Sequence, residues 1–172
     1  MSEAIPLPVE VDPVSGQWSV DGLPMILVPR HLITNNLHAV EERIGYDAST
    51  TLFRAPGYHS AQQWCAHQAA RHGLKGAAVV RHYLEHMSRR GWGRFTIEEL
   101  DLDRGRARVR LDDSALAARA VGPQRSACYM FAGWLEGAVD HVRPRDATGV
   151  RSREIRCRAA GAEHCLFTVD ET

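Results

Sequence analysis

Apolar residues recur at helical spacing through the first half of the chain and predict four helices there. The expected helices cover residues 30–46, 47–54, 60–72 and 76–89. The second helix is expected to stop before Pro56, because proline removes a helical hydrogen bond and clashes with the preceding turn. Ser60 would then be the N-cap of the third helix, since its hydroxyl can accept a hydrogen bond from the free N–H groups of a first turn.

The second half of the chain begins with alternating apolar and polar residues, which indicate strands with one solvated face. Residues 95–102 and 107–111 predict a β-hairpin whose turn contains Gly105. Residues 114–121 then predict a short helix or an irregular edge, because Gly122 and the proline after it break the pattern.

A long apolar helix is predicted over residues 125–142, and its small residues permit close packing against a sheet or another helix. Two further strands are expected over residues 153–158 and 165–169. The predicted class is therefore α+β, with N-terminal helices followed by an antiparallel sheet and one long helix inserted before the last hairpin.

The N-terminal residues 1–29 predict an arm of short strands. Val9–Val11 and Gln17–Val20 flank a turn-forming stretch and favour a small hairpin. Met25–Val28 predicts a short buried strand that Pro29 ends. Residues 30–172 are expected to form a single domain, since this is an ordinary size for one hydrophobic core.

The charge balance excludes some classes of partner. The chain of 172 residues carries 21 basic and 21 acidic side chains, whereas proteins that bind nucleic acid or anionic membranes usually have a basic excess. No apolar run approaches the roughly 18 residues that span a bilayer, and Met1 to Glu10 lacks a signal-peptide pattern. A cytoplasmic location is expected, where cysteines are more often free thiols or metal ligands than disulfides.

Four residues in the last third of the chain have the chemistry of a metal site. Cys157 and Cys165 lie at the two ends of a tight predicted turn, Glu154 precedes Cys157 by three residues, and Cys128 is at the head of the long helix. Three thiolates and one carboxylate can form a closed tetrahedral zinc site, and thiolates select zinc over hard cations. The spacing alone leaves an alternative open, in which the cysteines are small buried apolar residues and Glu154 is a surface residue.

The stretch from Glu154 to Phe167 resembles the C-terminal signature of the 4-vinyl-reductase-type, or hydrocarbon-binding, domain family. The stretch from Cys128 to Gly137 resembles the small-residue helix of the same family. This family includes the sensory domains of phenol- and xylene-responsive transcription activators, and its fold is similar to that of certain vesicle-tethering subunits. The phenol sensors hold a zinc with Cys, Glu, Cys and Cys. The resemblance implies a structural zinc on Cys128, Glu154, Cys157 and Cys165, below a ligand pocket.

The first half of the chain is most similar to stand-alone bacterial members of the family, some of which are associated with the catabolism of methylated amines. The shared features are short motifs: Leu23-Pro24-Met25, Val28-Pro29-Arg30-His31, Gly57-Tyr58, Trp64-Cys65 and Arg90-Gly91-Trp92-Gly93.

The resemblance implies a ligand-binding domain over residues 30–172. The apolar candidates for its pocket are Phe95, Leu111, Phe131 and Trp134, for which ordinary core packing is the alternative. Phenol sensors bind the phenol hydroxyl with a tryptophan on the second strand of the hairpin, and Leu111 is nearest to that position. Phenol specificity is therefore not expected, and the alternatives are a different apolar or amine-containing ligand, or no ligand.

The expected function is that of a zinc-containing sensor or accessory protein for an apolar or small organic metabolite, and the family implies a homodimer. No catalytic residue is assigned. The alternative is a catalytic or non-catalytic subunit that assists a catabolic enzyme of methylated-amine or aromatic degradation.

Other reactive side chains predict no further site. His82 and His86 are four residues apart on a predicted helix, but no third ligand is evident and both are expected at the surface. His164 is expected to be exposed or to lie beside the zinc ligands without joining them, and Cys65 is expected in the core. The surroundings of Ser114 do not match a hydrolase nucleophile motif.

Overall fold

The computed structural model describes residues 7–117 and 125–172. Its elements are β1 (Val9–Val11), β2 (Trp18–Val20), β3 (Leu23–Met25), α1 (Arg30–Ile44), α2 (Tyr46–His72), α3 (Ala77–Arg89), β4 (Arg94–Asp101), β5 (Arg106–Asp112), α4 (Tyr129–Val142), β6 (Val150–Arg156) and β7 (Cys165–Glu171). The predicted α+β class is confirmed, including the long helix before the last hairpin.

The strands β1, β2 and β3 form a small antiparallel sheet at the N-terminal end. Val9 is paired with Val20 and Trp18 with Met25, so one face of this sheet is apolar. The predicted strand Met25–Val28 is wrong, because the strand covers Leu23–Met25 and the next two residues, Ile26 and Leu27, are each 81% exposed. The pairing explains the shift: β2 is only three residues long, and Met25 opposes its first residue.

The helix α2 is one continuous helix of 27 residues. The prediction of two helices, with a stop at Pro56 and an N-cap at Ser60, is wrong. Packing against α4 outweighs the hydrogen bond that proline removes. A Cβ atom on Gly57 would lie 2.7 Å from the carbonyl oxygen of Met130, so α2 and α4 touch at the very residues expected to end a helix.

The close packing of α4 relies on two of its glycines. A Cβ atom on Gly133 would overlap the carbonyl oxygen of Arg54, and one on Gly137 would overlap that of Tyr58. Beside this contact, the carboxylates of Glu136 and Asp140 pair with the side chains of the same two α2 residues. The predicted close packing of the long helix is therefore confirmed, and its partner is a helix.

The main sheet is antiparallel, with the strand order β4-β5-β7-β6. α3 contacts β4, while α4 contacts β6 and β7. Ala107, Val109 and Leu111 of β5 are buried, and the arginines that alternate with them include Arg108 and Arg110, which pair with nearby carboxylates. The predicted hairpin is confirmed, with one face in the core and one charged face.

The edge predicted for residues 114–121 lies partly outside the described residues. Its described part, residues 114–117, is buried and bent rather than helical. Across residues 7–117 and 125–172, no helix is both long and apolar enough to cross a membrane.

Candidate metal centre and aromatic cluster

The structure brings the four predicted metal donors together. Cys128 immediately precedes α4, Glu154 lies in β6, Cys157 follows that strand, and Cys165 begins β7. One donor atom from each residue lies within 4.8 Å of every other, and the three cysteine residues are buried. Residues that are far apart in the chain thus meet where the last helix and the last hairpin touch.

A bulge in β6 explains why Glu154 and Cys157 reach the same side of the sheet. Residues three apart in a regular strand point to opposite faces. The pairing of β6 with β7 shifts register between Glu154 and Arg156, so one extra residue, Ile155, is accommodated there. Ile155 is 48% exposed, and the alternation after it is reversed. The Glu-x2-Cys spacing is therefore the spacing of a bulged strand.

The turn between β6 and β7 orients the thiols. Cys157 is followed by a single 3-10 turn, and its carbonyl oxygen accepts hydrogen bonds from the N–H groups of Ala160 and Ala162. The N–H of Arg158 points at Sγ of Cys165 at 3.4 Å, and the N–H of Ala127 points at Sγ of Cys157 at 3.4 Å. Backbone N–H groups aimed at sulfur favour the thiolate form that a metal requires.

The distances between the sulfur atoms fit a tetrahedral zinc site. Sγ of Cys128 lies 3.7 Å from Sγ of Cys165, which lies 4.0 Å from Sγ of Cys157. A zinc–sulfur bond of about 2.3 Å in tetrahedral geometry places the sulfur atoms about 3.8 Å apart. The residues present therefore fit this ion in both donor chemistry and spacing.

The electrostatics of the cluster also favour a cation. Burial raises the pKa of the Glu154 carboxyl to about 8, and the adjacent Cys157 contributes further to the rise. Burial likewise raises the pKa of Cys128 well above its ordinary value, whereas hydrogen bonds from Cys128 and Cys165 lower the pKa of Cys157. Oε1 of Glu154 is buried and has no hydrogen-bond partner among the described residues. A divalent cation would offset the charge of four anionic donors and satisfy this oxygen.

The four predicted ligand-contact residues lie in an aromatic cluster next to the cysteines. The ring of Phe131 lies 4.8 Å from that of Trp134 and 5.6 Å from that of Phe95. Leu111 and Phe131 are fully buried, and Trp134 is almost so. The rings of the cluster contact one another, and these four side chains line neither the surface pocket at residues 16–27 nor the cavity beside Trp92.

Trp92 belongs to the same cluster, although it was not predicted as a site residue. Its ring contacts those of Trp134 and Phe131, with centroids 5.0 and 5.9 Å apart. The sequence signal was its position between two glycines. Gly93 has a φ of +127°, and a Cβ atom there would lie 2.6 Å from Cδ1 of Leu111, so glycine lets the turn approach β5.

The remaining candidates lie elsewhere. Cys65 is fully buried, as predicted, and burial raises its pKa to about 12. The prediction of surface histidines is wrong for His86, which is 7% exposed, because its ring packs 5.3 Å from Trp64 of α2. His82 is half-buried and lies 2.9 Å from Oε1 of Gln68. His164 is half-buried and is not among the four clustered donors.

Comparison with known proteins agrees with the resemblance seen in the sequence. A family model described as a domain of unknown function, DUF5943, matches residues 4–98, and the model of the 4-vinyl-reductase domain matches residues 107–171. No curated protein matches the chain.

Solved structures share the fold. The phenol-responsive sensory domain of the transcription activator PoxR, determined with phenol, has a TM-score of 0.81 at 16% identity, and the match covers 95% of this chain and 84% of that one. Subunit 3 of a trafficking protein particle complex from Naegleria fowleri, covalently bound to palmitic acid, has a TM-score of 0.60 at 14% identity, with 83% and 95% covered. A vinyl-4-reductase family protein from Methanocaldococcus jannaschii has a TM-score of 0.54 at 14% identity, with 86% and 84% covered.

Proposed function

We propose that this chain, which belongs to the DUF5943 family, is a zinc-containing protein that binds a small organic metabolite. The match of residues 107–171 to the 4-vinyl-reductase domain supports this proposal. The protein would act as a sensor or as an accessory protein rather than as an enzyme. Residues 30–172 would form the single ligand-binding domain, with residues 1–29 as an arm. The fold shared with a phenol-responsive sensory domain supports this function.

One pairing in the main sheet supports the function most strongly. Leu111 of β5 and Cys165 of β7 are register partners, and both side chains are fully buried. The helix α4 likewise brings a proposed metal donor close to a proposed ligand contact, because Cys128 precedes its first residue and Phe131 lies within its first turn. The proposed metal donors therefore hold in place the strand and the helix that carry the proposed ligand contacts.

Zinc would be held by the thiolates of Cys128, Cys157 and Cys165 and by the carboxylate of Glu154. Four protein donors complete a tetrahedral shell and leave no position for water or substrate, which is typical of structural zinc. When bound, the ion would supply positive charge and cross-link the start of α4 to the last hairpin. The protein's own N–H groups, from Ala127 and Arg158, would offset the remaining negative charge on sulfur.

The ligand would be apolar or aromatic, because the side chains around the proposed site are. Phe95, Phe131 and Trp134 offer ring faces and edges, and an aromatic ligand could stack among them. Leu111 supplies no hydrogen bond at the position where phenol sensors have a tryptophan, which argues against phenol. Because these rings contact one another, ligand binding would require them to move apart. That movement would be the structural signal that a ligand is bound.

A homodimer would cover apolar surface at the N-terminal end. The apolar face of the small sheet is buried at Val20 but exposed at Val11 and Trp18, and Ile26 and Leu27 are also largely exposed. Monomeric proteins seldom leave such a group of side chains open to water. Light scattering during size-exclusion chromatography tests this: a mass of two chains is expected, and a single-chain mass at micromolar concentration would contradict it.

Ligand binding can be tested with a panel of neutral monoaromatic compounds and small amines. A true ligand at about 100 times its Kd should raise the melting temperature by about 5–10 °C. Its effect should disappear in Phe131→Leu and persist in Phe53→Leu, a matched change at a half-buried ring on α2. The function is wrong if no compound shifts the melting temperature, or if Phe131→Leu responds as the wild type does.

A further inference from the structure

A cavity of about 140 Å³ lies between the small N-terminal sheet, the start of α1 and the turn from α3 to β4. Its walls are mostly apolar and include Val9, Trp18, Met25, Ile33 and Trp92. Val9, Trp18 and Met25 all belong to the apolar face of the three-stranded sheet. The apolar face of the sheet therefore covers one side of the cavity, although Val9 and Trp18 on that face are each 42% exposed.

Two charged residues, Arg30 and Arg90, interrupt this apolar lining. Arg30 already has partners, because its Nε donates to the carbonyl oxygen of Gly91 at 3.0 Å and its guanidinium pairs with the carboxylate of Asp113 at 3.0 Å. Arg30 therefore links the start of α1 to Gly91 and Asp113 beside the cavity, and its charge is already paired.

Arg90 differs from Arg30 in having no such partner among the described residues. Its guanidinium makes no hydrogen bond or ion pair with any residue in 7–117 or 125–172, although the residue is partly buried. Burial lowers the pKa of Arg90, and only the nearby Tyr83 opposes that effect. Partial burial of a guanidinium without an anion carries a cost, and a carboxylate that meets it with two parallel hydrogen bonds would offset that cost.

We propose that this cavity binds a small organic carboxylate, with Arg90 as its ion-pair partner and the small sheet covering its apolar body. The volume is close to that of a cavity of about 150 Å³ that accepts benzene, so the body would be one ring or a chain of about six carbons. A planar guanidinium suits a carboxylate better than a point charge does. This site adjoins the aromatic cluster of the proposed function at Trp92, but Phe95, Leu111, Phe131 and Trp134 do not line it, and the proposal does not depend on the proposed function.

Trp92 gives the site a natural reporter. It lines the cavity and also contacts the rings of Phe131 and Trp134. A carboxylate in the cavity would therefore change the environment of a tryptophan that both sites share, and tryptophan fluorescence would record the binding.

Titration calorimetry with benzoate and hexanoate, compared with benzamide and hexanamide, tests the proposal on the wild-type chain. The carboxylates should bind at least about tenfold more tightly than the amides, since a hydrogen bond to a charged group contributes about 1.5–3 kcal/mol. Equal affinity for acid and amide, or no binding by either acid, would overturn the proposal.

Substitutions then locate the site. Arg90→Gln should weaken benzoate binding about tenfold or more, and Arg90→Lys should give an intermediate loss. Arg89→Gln, a neighbouring exposed arginine that pairs with Glu85, should change it less than about twofold. Unchanged binding in Arg90→Gln would assign the carboxylate elsewhere. Loss of benzoate binding in Phe131→Leu but not in Arg90→Gln would place the carboxylate in the aromatic cluster, which would contradict the cavity site and leave the proposed function intact.

Discussion

The backbone N–H of Cys128 donates a 3.0 Å hydrogen bond to Oε2 of Glu154. This bond places a carboxylate at the N-terminus of α4, where the free N–H groups and the helix dipole favour negative charge. The other oxygen of Glu154 is buried without a hydrogen-bond partner among the described residues, and the carboxylate lies beside the three thiol groups. One side chain thus ties β6 to α4 and completes the candidate zinc site.

Glu154→Gln separates these two roles. The glutamine amide oxygen can still accept the hydrogen bond from Cys128, but the side chain loses its charge. Zinc affinity should fall by about tenfold or more, as judged from the losses that follow changes around zinc ligands, and competition with a chromogenic chelator measures it. Glu163→Gln, a change outside the cluster in the adjacent turn, should leave the affinity unaltered. Wild-type affinity in both variants would show that the carboxylate is not a ligand.

Gly137→Ala tests the contact between α2 and α4. The added methyl group would overlap the carbonyl oxygen of Tyr58, and backbone cannot yield as a flexible side chain can. Overpacking of this kind lowers the free energy of unfolding by about 1–3 kcal/mol, which chemical denaturation would measure. Gly149→Ala is the control, since its nearest neighbour would be the Thr172 hydroxyl at 3.7 Å. A variant at position 137 as stable as this control would contradict the packing described.

The burial of His86 predicts that stability falls in mild acid. Burial lowers the pKa of His86 below its ordinary value of 6.5, and the neighbouring His82 lowers it further, while Asp21 and Glu85 oppose the shift and Arg89 adds to it. The folded state therefore prefers the neutral ring. Stability that is complete above pH 6.5 is lost as the pH falls below that value, because the unfolded chain binds the proton more readily.

Melting temperatures of wild type and His86→Gln between about pH 7.5 and 5 measure this effect. The variant should lose less stability over that range than the wild type. His31→Gln, a change at an exposed histidine of α1, should follow the wild-type curve. Parallel curves for all three proteins would show that His86 does not titrate differently on folding.

Much of the candidate metal site could be predicted from the sequence, because its residues carry rare chemistry at a recognisable spacing. The backbone geometry that this spacing requires could not be predicted from the sequence. Whether Glu154 and Cys157 share a face depends on the bulge at Ile155, and nothing in the local sequence distinguishes a bulged strand from a regular one. The pairing partner β7 decides the register.

The errors in the helical half have a common physical origin in tertiary contacts. Pro56 and Gly57 weaken an isolated helix, but here they lie against α4, whose backbone needs a small neighbour. His86 looks like a surface residue by type. Its spacing from Val79 and Tyr83 puts it on the buried stripe of α3, and that periodicity was the better guide.

The pocket residues were the least predictable part. Phe131 and Leu111 would be buried whether they belong to an ordinary core or to a ligand site. The apolar periodicity of the sequence is the same in the two cases. Arg90 belongs to a shared sequence motif, but nothing in that motif shows that its guanidinium lacks an anionic partner within residues 7–117 and 125–172. Its place in the cavity wall is evident only once the small sheet, α1 and the turn before β4 come together around the same cavity.

The zinc content of the purified chain tests the account most directly. Protein prepared without chelator should contain about one zinc per chain by elemental analysis, as a site with four protein donors predicts. Cys157→Ser should lose the metal, while Cys65→Ser, at a buried cysteine outside the cluster, should keep it. A wild-type protein that is stable, folded and free of metal would contradict the account.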